Sequence, residues 1–281
     1  MKYPKITIVT PNYNQGEYLD RTINSVLNQD YPNLEYIIID GGSTDNSVEI
    51  IKKYEKQLTY WVSEKDGGMY DALNKGFNRS SGEIMGWINS DDFLHHKSLF
   101  IVAKIFSDLP KIQWIQGLPN VSNNEDNIVY VRPYRQYSQL DFLSDYMSQQ
   151  WIQQESTFWK RALYQKAGNK INTKYKLAGD FDLWMRFFQF EKIYAFNGLI
   201  GTYRITNKNA SMVNNNKYLE EASDIVNSIK INIFNKIKVF FATRIRVIKK
   251  IGKYEYIPFI SSYFAYPKPI RYNFKTNKFE L

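Results

Sequence analysis

Two adjacent carboxylates, Asp91 and Asp92, follow Asn89 and Ser90 directly after the apolar run 83–88. Neighbouring carboxylates repel, and they stay ionised only beside a cation or several hydrogen-bond donors. A divalent ion held by one carboxylate and by diphosphate oxygens, as Mg²⁺ commonly is, would meet that need. Such an ion would also stabilise charge on a departing diphosphate. The same acids suit a helix N-cap, and the pattern leaves both readings open. Asp40 closes another apolar run, 34–39, ahead of Gly41 and Gly42. A carboxylate there could accept from a ribose hydroxyl or a base N–H, and glycines let a ligand or backbone come close. An ordinary strand-to-helix turn explains it equally well. Thr10-Pro11-Asn12-Tyr13-Asn14 is a third loop whose polar groups could frame a nucleotide. Asp180, in Ala178-Gly-Asp-Phe-Asp182-Leu-Trp-Met-Arg186, could be a general base at the mouth of a helix. It could also merely cap that helix, with Leu183, Trp184 and Phe187 as the core stripe and Asp182 paired to Arg186 four residues on.

Something must hold these loops at one place, and the first hundred residues supply it by alternating strand and helix patterns. Residues 5–10, 34–39, 59–62 and 83–88 are short, β-branched or apolar runs that predict strands. Between and after them, 17–29, a segment capped by Thr44 or Asp45, 70–77 and 99–106 carry apolar residues at helical spacing. This alternation predicts an α/β fold, Rossmann-like, with a mainly parallel sheet flanked by helices. Such sheets bind ligands at the carboxyl ends of their strands. Asp40, Asp66-Gly-Gly68 and Asp91-Asp92 all fall there. Beyond residue 112 the pattern loosens: 112–115 and 128–132 suggest strands, 151–166 and 181–190 helices, and 192–205 extended chain. The expected division is one catalytic domain over 1–215, with a first half to about 110 and a second over 111–215. A basic amphipathic helical extension is expected over 216–281.

The chain has 281 residues, 43% hydrophobic and 23% charged, which excludes disorder over most of its length. It has no cysteine, which excludes disulfides and thiolate metal sites. The start lacks the apolar core of a signal peptide, and no uncharged apolar stretch is long enough to span a bilayer. The protein is therefore expected on the cytoplasmic side. Net charge is +9, and residues 225–254 hold eight Lys or Arg and no acid, which leaves the remainder nearly neutral. That placement argues against nucleic acid as a partner, because the basic residues do not line the expected cleft.

Six motifs occur in one order: Thr10-Pro-Asn-Tyr-Asn14, Ile39-Asp-Gly-Gly-Ser-Thr-Asp45, Asp66-Gly-Gly-Met-Tyr-Asp-Ala-Leu-Asn-Lys-Gly76, Trp87-Ile-Asn-Ser-Asp-Asp92, Gln154-Glu-Ser-Thr-Phe-Trp-Lys-Arg161 and Gly179-Asp-Phe-Asp-Leu-Trp184. Over about residues 3–212 the chain thereby resembles family 2 glycosyltransferases, in the branch that builds bacterial surface polysaccharides such as lipopolysaccharide and capsule. The resemblance implies the GT-A fold, a UDP- or dTDP-type sugar donor, Mg²⁺ or Mn²⁺, and inversion at the anomeric carbon. It also implies Asp180 as catalytic base, and Asp91 and Asp92 as the metal and diphosphate site. Thr10, Pro11, Asn12, Asn14, Asp40, Asp66, Lys75 and Asp91 then fall on the donor side, in a nucleotide-sugar half to about 110, and Gln154, Glu155 and Trp184 on the acceptor side, in an acceptor half over 111–215. Three positions depart from the family pattern. Asn89 replaces a frequent first Asp. Leu73 replaces an Arg, which leaves Lys75 as a candidate donor-side cation. Thr206 stands where some members carry a metal-ligating His. His95 and His96 are expected at the surface.

In the extension, Val226, Ile229, Ile233, Ile237, Phe240, Val247 and Ile251 recur at helical spacing among Lys and Arg. A helix of this kind lies on an anionic bilayer or packs on the catalytic domain. Peripheral contact with the inner face of the plasma membrane would suit a saccharide acceptor, including one linked to polyprenyl diphosphate. The alternative from another class is a catalytically inactive nucleotide-sugar-binding protein, against which an intact Asp180 and acidic pair argue.

Overall fold

The computed structural model describes residues 3–148, 151–206, 209, 214–249, 263, 264 and 266–281. The nucleotide half runs β1 (Ile6–Asn12), α1 (Gly16–Leu27), β2 (Leu34–Asp40), α2 (Ser47–Tyr54), β3 (Tyr60–Ser63), α3 (Met69–Arg79), β4 (Ile84–Trp87), β5 (Phe93–Leu94) and α4 (Ser98–Asp108). There follow β6 (Trp114–Gln116), β7 (Asn120–Ser122), β8 (Ile128–Val131), α5 (Gln139–Asp145), β9 (Thr157–Lys160), α6 (Arg161–Lys166), α7 (Gly179–Phe187), β10 (Tyr194–Ala195) and β11 (Gly201–Arg204). The chain ends in α8 (Asn215–Ser228), α9 (Ile233–Lys249), β12 (Arg271–Asn273) and β13 (Lys278–Glu280).

Seven strands form the central sheet in the order β10-β6-β9-β4-β1-β2-β3. β1, β2, β3 and β4 are parallel, as the alternation of patterns predicts. Both faces of the sheet are apolar because both are covered. Ile6 and Ile8 of β1 and Tyr36 and Ile38 of β2 belong to the core under α1 and α4. Val9, Ile37 and Ile39 join a second core with α3, α7 and α8. Burying one such isoleucine contributes about 1.5–3 kcal/mol, so the period of two in these strands fixes the register on both faces. A smaller sheet, β5-β11-β7-β8, stands beside the first. Its edge strand β8 is exposed throughout.

Two expectations are corrected. Residues 151–166 are not one helix: a 3₁₀ turn at 154–156 leads into β9, and only Arg161–Lys166 is α-helical. β9 lies antiparallel between β4 and β6. Thr157, Phe158 and Trp159 are buried there, and such branched and aromatic residues favour a strand covered on both faces over a helix. The extension expected over 216–281 is also not helical throughout, since it ends in two strands. Tyr218, Ala222 and Ile225 of α8 belong to the same core as Trp114, Trp159 and Phe181. The chain breaks at 229–232 before α9, which lies against α5, with Ala242 buried and Thr243 Oγ1 3.4 Å from Ser144 O. The β12–β13 hairpin then returns to α4, where Phe279 N donates to Asp108 Oδ2 at 2.8 Å.

Candidate active site

The carboxyl ends of the strands open into one cavity of about 1070 Å³. Pro11, Asn12 and Asp66 line it from the nucleotide half, Asp91 and Asn89 at the end of β4, and Gln154, Glu155 and Asp180 from the acceptor half. The structure thus brings residues of all six motifs around one space, although their members stand up to about 170 positions apart.

Asp180 is the second residue of α7, and Ala178, not Asp180, is its N-cap. The helix-cap reading therefore falls at this position. Tyr70 of α3 lies against Gly179, where any Cβ would sit 2.6 Å from its ring. The Tyr70 hydroxyl is 2.8 Å from Leu177 O and 3.4 Å from Asp180 Oδ1. Burial pushes the Asp180 carboxyl up to about 6, although the Phe181 N–H and Tyr70 act to lower it. A carboxyl of that kind is a good proton acceptor near neutral pH. Asp182 pairs with Arg186 at 2.8 Å, as expected.

The acidic pair divides. Asp91 reaches the cavity, and Asn209 Nδ2 donates to its Oδ2 at 3.1 Å. Asp92 has no exposed surface. Its Oδ2 accepts from Asn89 Nδ2 at 3.0 Å and its Oδ1 from Arg204 N at 2.9 Å. Asp92, expected as a metal ligand, thus lies behind Asp91 and does not line the cavity. Burial raises both carboxyls, and the charges of Glu155 and Asp91 raise Asp92 further. Glu155 is raised to about 7, chiefly by its own burial. Arg204 is wholly buried and keeps this acidic ground in place, bonding Asp126 and the Asp91 carbonyl oxygen. Among the described residues no three His, Asp or Glu side chains converge as a metal cage. The cavity nevertheless suits a hard cation. Buried oxygens of Asn12, Asn89, Gln154 and Glu155 lack protein partners, and Mg²⁺ typically uses one or two carboxylates plus phosphates and waters. Asp91 with the Asn89 carbonyl oxygen is the donor set that fits.

Other expected donor residues prove structural. Asp40 has no exposure, and its oxygens accept from Asn12, Gly42, Ser43 and Ser63. Burial alone would raise it, but those donors hold its carboxyl below the usual range. It has no acceptor capacity left for a nucleoside. Gly41 beside it lines the cavity, and the Asp66 carboxylate lies 2.9 Å from where a Gly41 Cβ would be. Asp66 is thus the acid presented there. Thr10 is buried against the Tyr36 hydroxyl. Asn14, with φ of 51°, ties its loop to Ser43 and Thr44. Lys75 points away, paired with Glu64 at 3.0 Å and Asp71 at 3.7 Å. Trp184 is core, stacked 5.7 Å from Trp87 at 8°. His95 is not at the surface: it is half-buried between Asn120 and Thr202, and burial lowers its pKa. His96 is exposed as expected.

Tyr70, Arg204, Asn209 and Glu221 escaped the reading of the sequence. Tyr70 stands inside a motif and could have been found. The others carry no local pattern. Glu221 bonds the backbone at Lys176, Leu177 and Ala178.

The profile of Glycosyl transferase family 2 matches residues 7–193, two-thirds of the chain and every cavity element except α8, β11 and Asn209. The chain belongs to glycosyl transferase family 2. An uncharacterized glycosyltransferase of Rickettsia typhi is 27% identical over 195 residues, which is 68% of this chain and 61% of that protein. The chain thus spans about six-tenths of the length of that curated relative. A putative teichuronic acid biosynthesis glycosyltransferase of Bacillus subtilis is 36% identical over 92 residues, covering 32% of this chain and 36% of its own. Among solved structures, S. aureus TarS 1-349 in complex with UDP-GlcNAc aligns with a TM-score of 0.66 at 16% identity, over 92% of this chain and 79% of that one. Mannosyltransferase PcManGT from Pyrobaculum calidifontis, in complex with GDP-Man and Mn2+, gives 0.63 at 16%, over 90% and 77%. At such identity the two show the fold alone, and the family 2 chain has the GT-A fold.

Proposed function

We propose that this family 2 chain is an inverting, metal-dependent glycosyltransferase that moves a sugar from a UDP- or dTDP-type donor to a hydroxyl of a saccharide or lipid-linked saccharide in cell-surface polysaccharide synthesis. The observation that carries the reading is that Asp91 and Asp180 face one cavity, with Asp180 held near 6. Pro11, Asn12 and Asp66 hold the nucleoside side, and Asp91 with Asn89 faces the diphosphate. Mg²⁺ or Mn²⁺ bound there would neutralise charge on the departing diphosphate. Asp180 takes the proton of the acceptor hydroxyl as its oxygen attacks the anomeric carbon opposite the leaving diphosphate. Gln154 and Glu155 support the acceptor side. A raised, cavity-facing Asp180 favours this over an inactive nucleotide-sugar-binding protein.

The surface of α9 supports a place at the membrane. Ile233, Phe234, Ile237, Phe240 and Phe241 are all at least 48% exposed, and 225–254 contains no acid. Exposed apolar side chains beside cations suit an anionic lipid surface. Among the described residues no helix is long and apolar enough to cross a bilayer; the contact proposed here is peripheral, on the cytoplasmic face.

The test is a panel of UDP-, dTDP- and GDP-sugars assayed for Mn²⁺- or Mg²⁺-dependent hydrolysis. One donor should be turned over, and Asp180→Asn should lose at least about 100-fold of that rate while keeping its affinity for the nucleotide. Nucleotide binding without turnover of any donor would favour the inactive binding protein.

A further inference from the structure

α8 holds the turn that carries the base through two carboxylates, Glu221 and Asp224. Glu221 Oε2 accepts from Leu177 N at 2.9 Å and from Ala178 N at 2.9 Å, and both its oxygens accept from Lys176 N, at 3.0 and 3.1 Å. Three successive backbone N–H groups therefore converge on one carboxylate. They stand just before α7, whose N-cap residue Ala178 makes no side-chain cap hydrogen bond. Unpaired N–H groups at a helix start need an acceptor, and an anion is the best one because the helix dipole adds to the attraction. Here the anion comes from a helix more than 40 residues further along the chain. Its neighbours fasten the same turn: Asp224 accepts from Lys174 Nζ at 2.6 Å and from the Tyr175 hydroxyl at 2.9 Å. On the opposite side Tyr70 holds Leu177 O. The turn is gripped through its carbonyl by α3 and through its N–H groups by α8, and Asp180 projects from it two residues later.

We infer that Glu221 is a positioning residue for Asp180, and that α8 is part of the catalytic apparatus. This rests on the reading of Asp180 as base. Without the Glu221 carboxylate three N–H groups lose their acceptor, and the turn shifts to find others. Asp180 shifts with it. Displacing a reacting group by about 1 Å can cost up to 100-fold in rate. Glu221 itself does not line the cavity, although Lys176 and Leu177 of the turn do, so its loss should cost turnover far more than nucleotide affinity. The Glu221 charge also acts on Asp180 to raise its pKa, among smaller influences than burial.

The experiment compares Glu221→Ala and Glu221→Gln with the parent, all as the full chain. Affinity for UDP with Mn²⁺ is read by calorimetry. Ionisation of Asp180 is read from its ¹³C carboxyl resonance, assigned by its loss in Asp180→Asn. Turnover is read with whichever of UDP-glucose, UDP-galactose, UDP-GlcNAc and dTDP-glucose the parent hydrolyses fastest. Glu221→Ala should keep UDP affinity within about twofold and lose at least about tenfold in turnover. Glu221→Gln keeps one acceptor oxygen and should lose less. In both the Asp180 midpoint should move to lower pH, because a negative neighbour has gone. Turnover within twofold of the parent with an unmoved midpoint overturns the inference, and so does UDP binding that falls in step with turnover. Should Glu221→Ala fail to fold, Glu221→Gln decides by the same readouts. If Asp180→Asn turns over normally, the base reading itself falls. If Asp180→Asn is inert and Glu221→Ala is normal, only the positioning role falls.

Discussion

Asp180 accepts a proton only while ionised. Burial first, against the Phe181 N–H and Tyr70, sets its carboxyl at about 6. The ionised fraction rises as pH rises through that value, so kcat/KM should be flat above about pH 7 and fall toward tenfold per unit well below 6. A profile flat down to pH 5 would mean that another group takes the proton. Asp91 and Asp92 should separate by nucleotide calorimetry. Asp91→Asn should lose at least about tenfold in Mn²⁺-dependent UDP affinity, or about 1.4 kcal/mol, because Asp91 faces the cavity. Asp92→Asn should stay within about threefold, because the buried Asp92 already accepts from Asn89 and Arg204; equal losses in the two would restore the shared metal site. These cases show what residue type and spacing could and could not disclose. The acids at strand ends were visible as a class. Which of them serve ligand and which serve the fold depends on donors brought from elsewhere. Ser63 lies 23 positions after Asp40, and Arg204 lies 112 after Asp92. Five donor bonds saturate Asp40 and full burial keeps Asp92 off the cavity lining, while Asp91 and Asp180 face open space.

At the scale of elements, period was a good guide wherever a strand or helix was long. β1, β2, α1, α3 and α4 lie where the apolar spacing predicts them. β9 was missed because its four residues sit between a 3₁₀ turn and a helix, and a short apolar run does not announce its period. The C-terminal helices were read as one because both carry apolar residues at helical spacing. α8 turns Tyr218, Ala222 and Ile225 into the core, whereas α9 leaves Phe234, Ile237 and Phe241 at the surface. This difference places the proposed membrane contact in α9. Phe234→Ser, Ile237→Ser and Phe241→Ser together should leave nucleotide-sugar turnover unchanged, since exposed changes seldom matter by more than about 0.5 kcal/mol each. The same variant should no longer sediment with phosphatidylglycerol vesicles. The parent should sediment at low salt and less at high salt, each cation near the surface contributing about 1 kcal/mol. A variant that still sediments would move the contact away from α9.

For the molecule as a whole, the alternation of patterns was enough for the α/β class, while the closure of the sheet was not legible because it depends on distant pairing. Lying antiparallel between β4 and β6, β9 closes the sheet from about 70 positions beyond β4. That arrangement bears on how the protein is born. A ribosome adds roughly 5–20 residues each second, so β4 waits roughly 4–14 s for the strand that will cover its flank. In that interval the nascent nucleotide half can pair β1 through β4 yet carries an open edge lined by Ile84, Met85 and Trp87, a template for another chain. Any stall in translation before residue 157 prolongs that exposure, so the passage from residue 87 to 160 is where a chaperone, or slow aggregation, would decide the yield of finished enzyme.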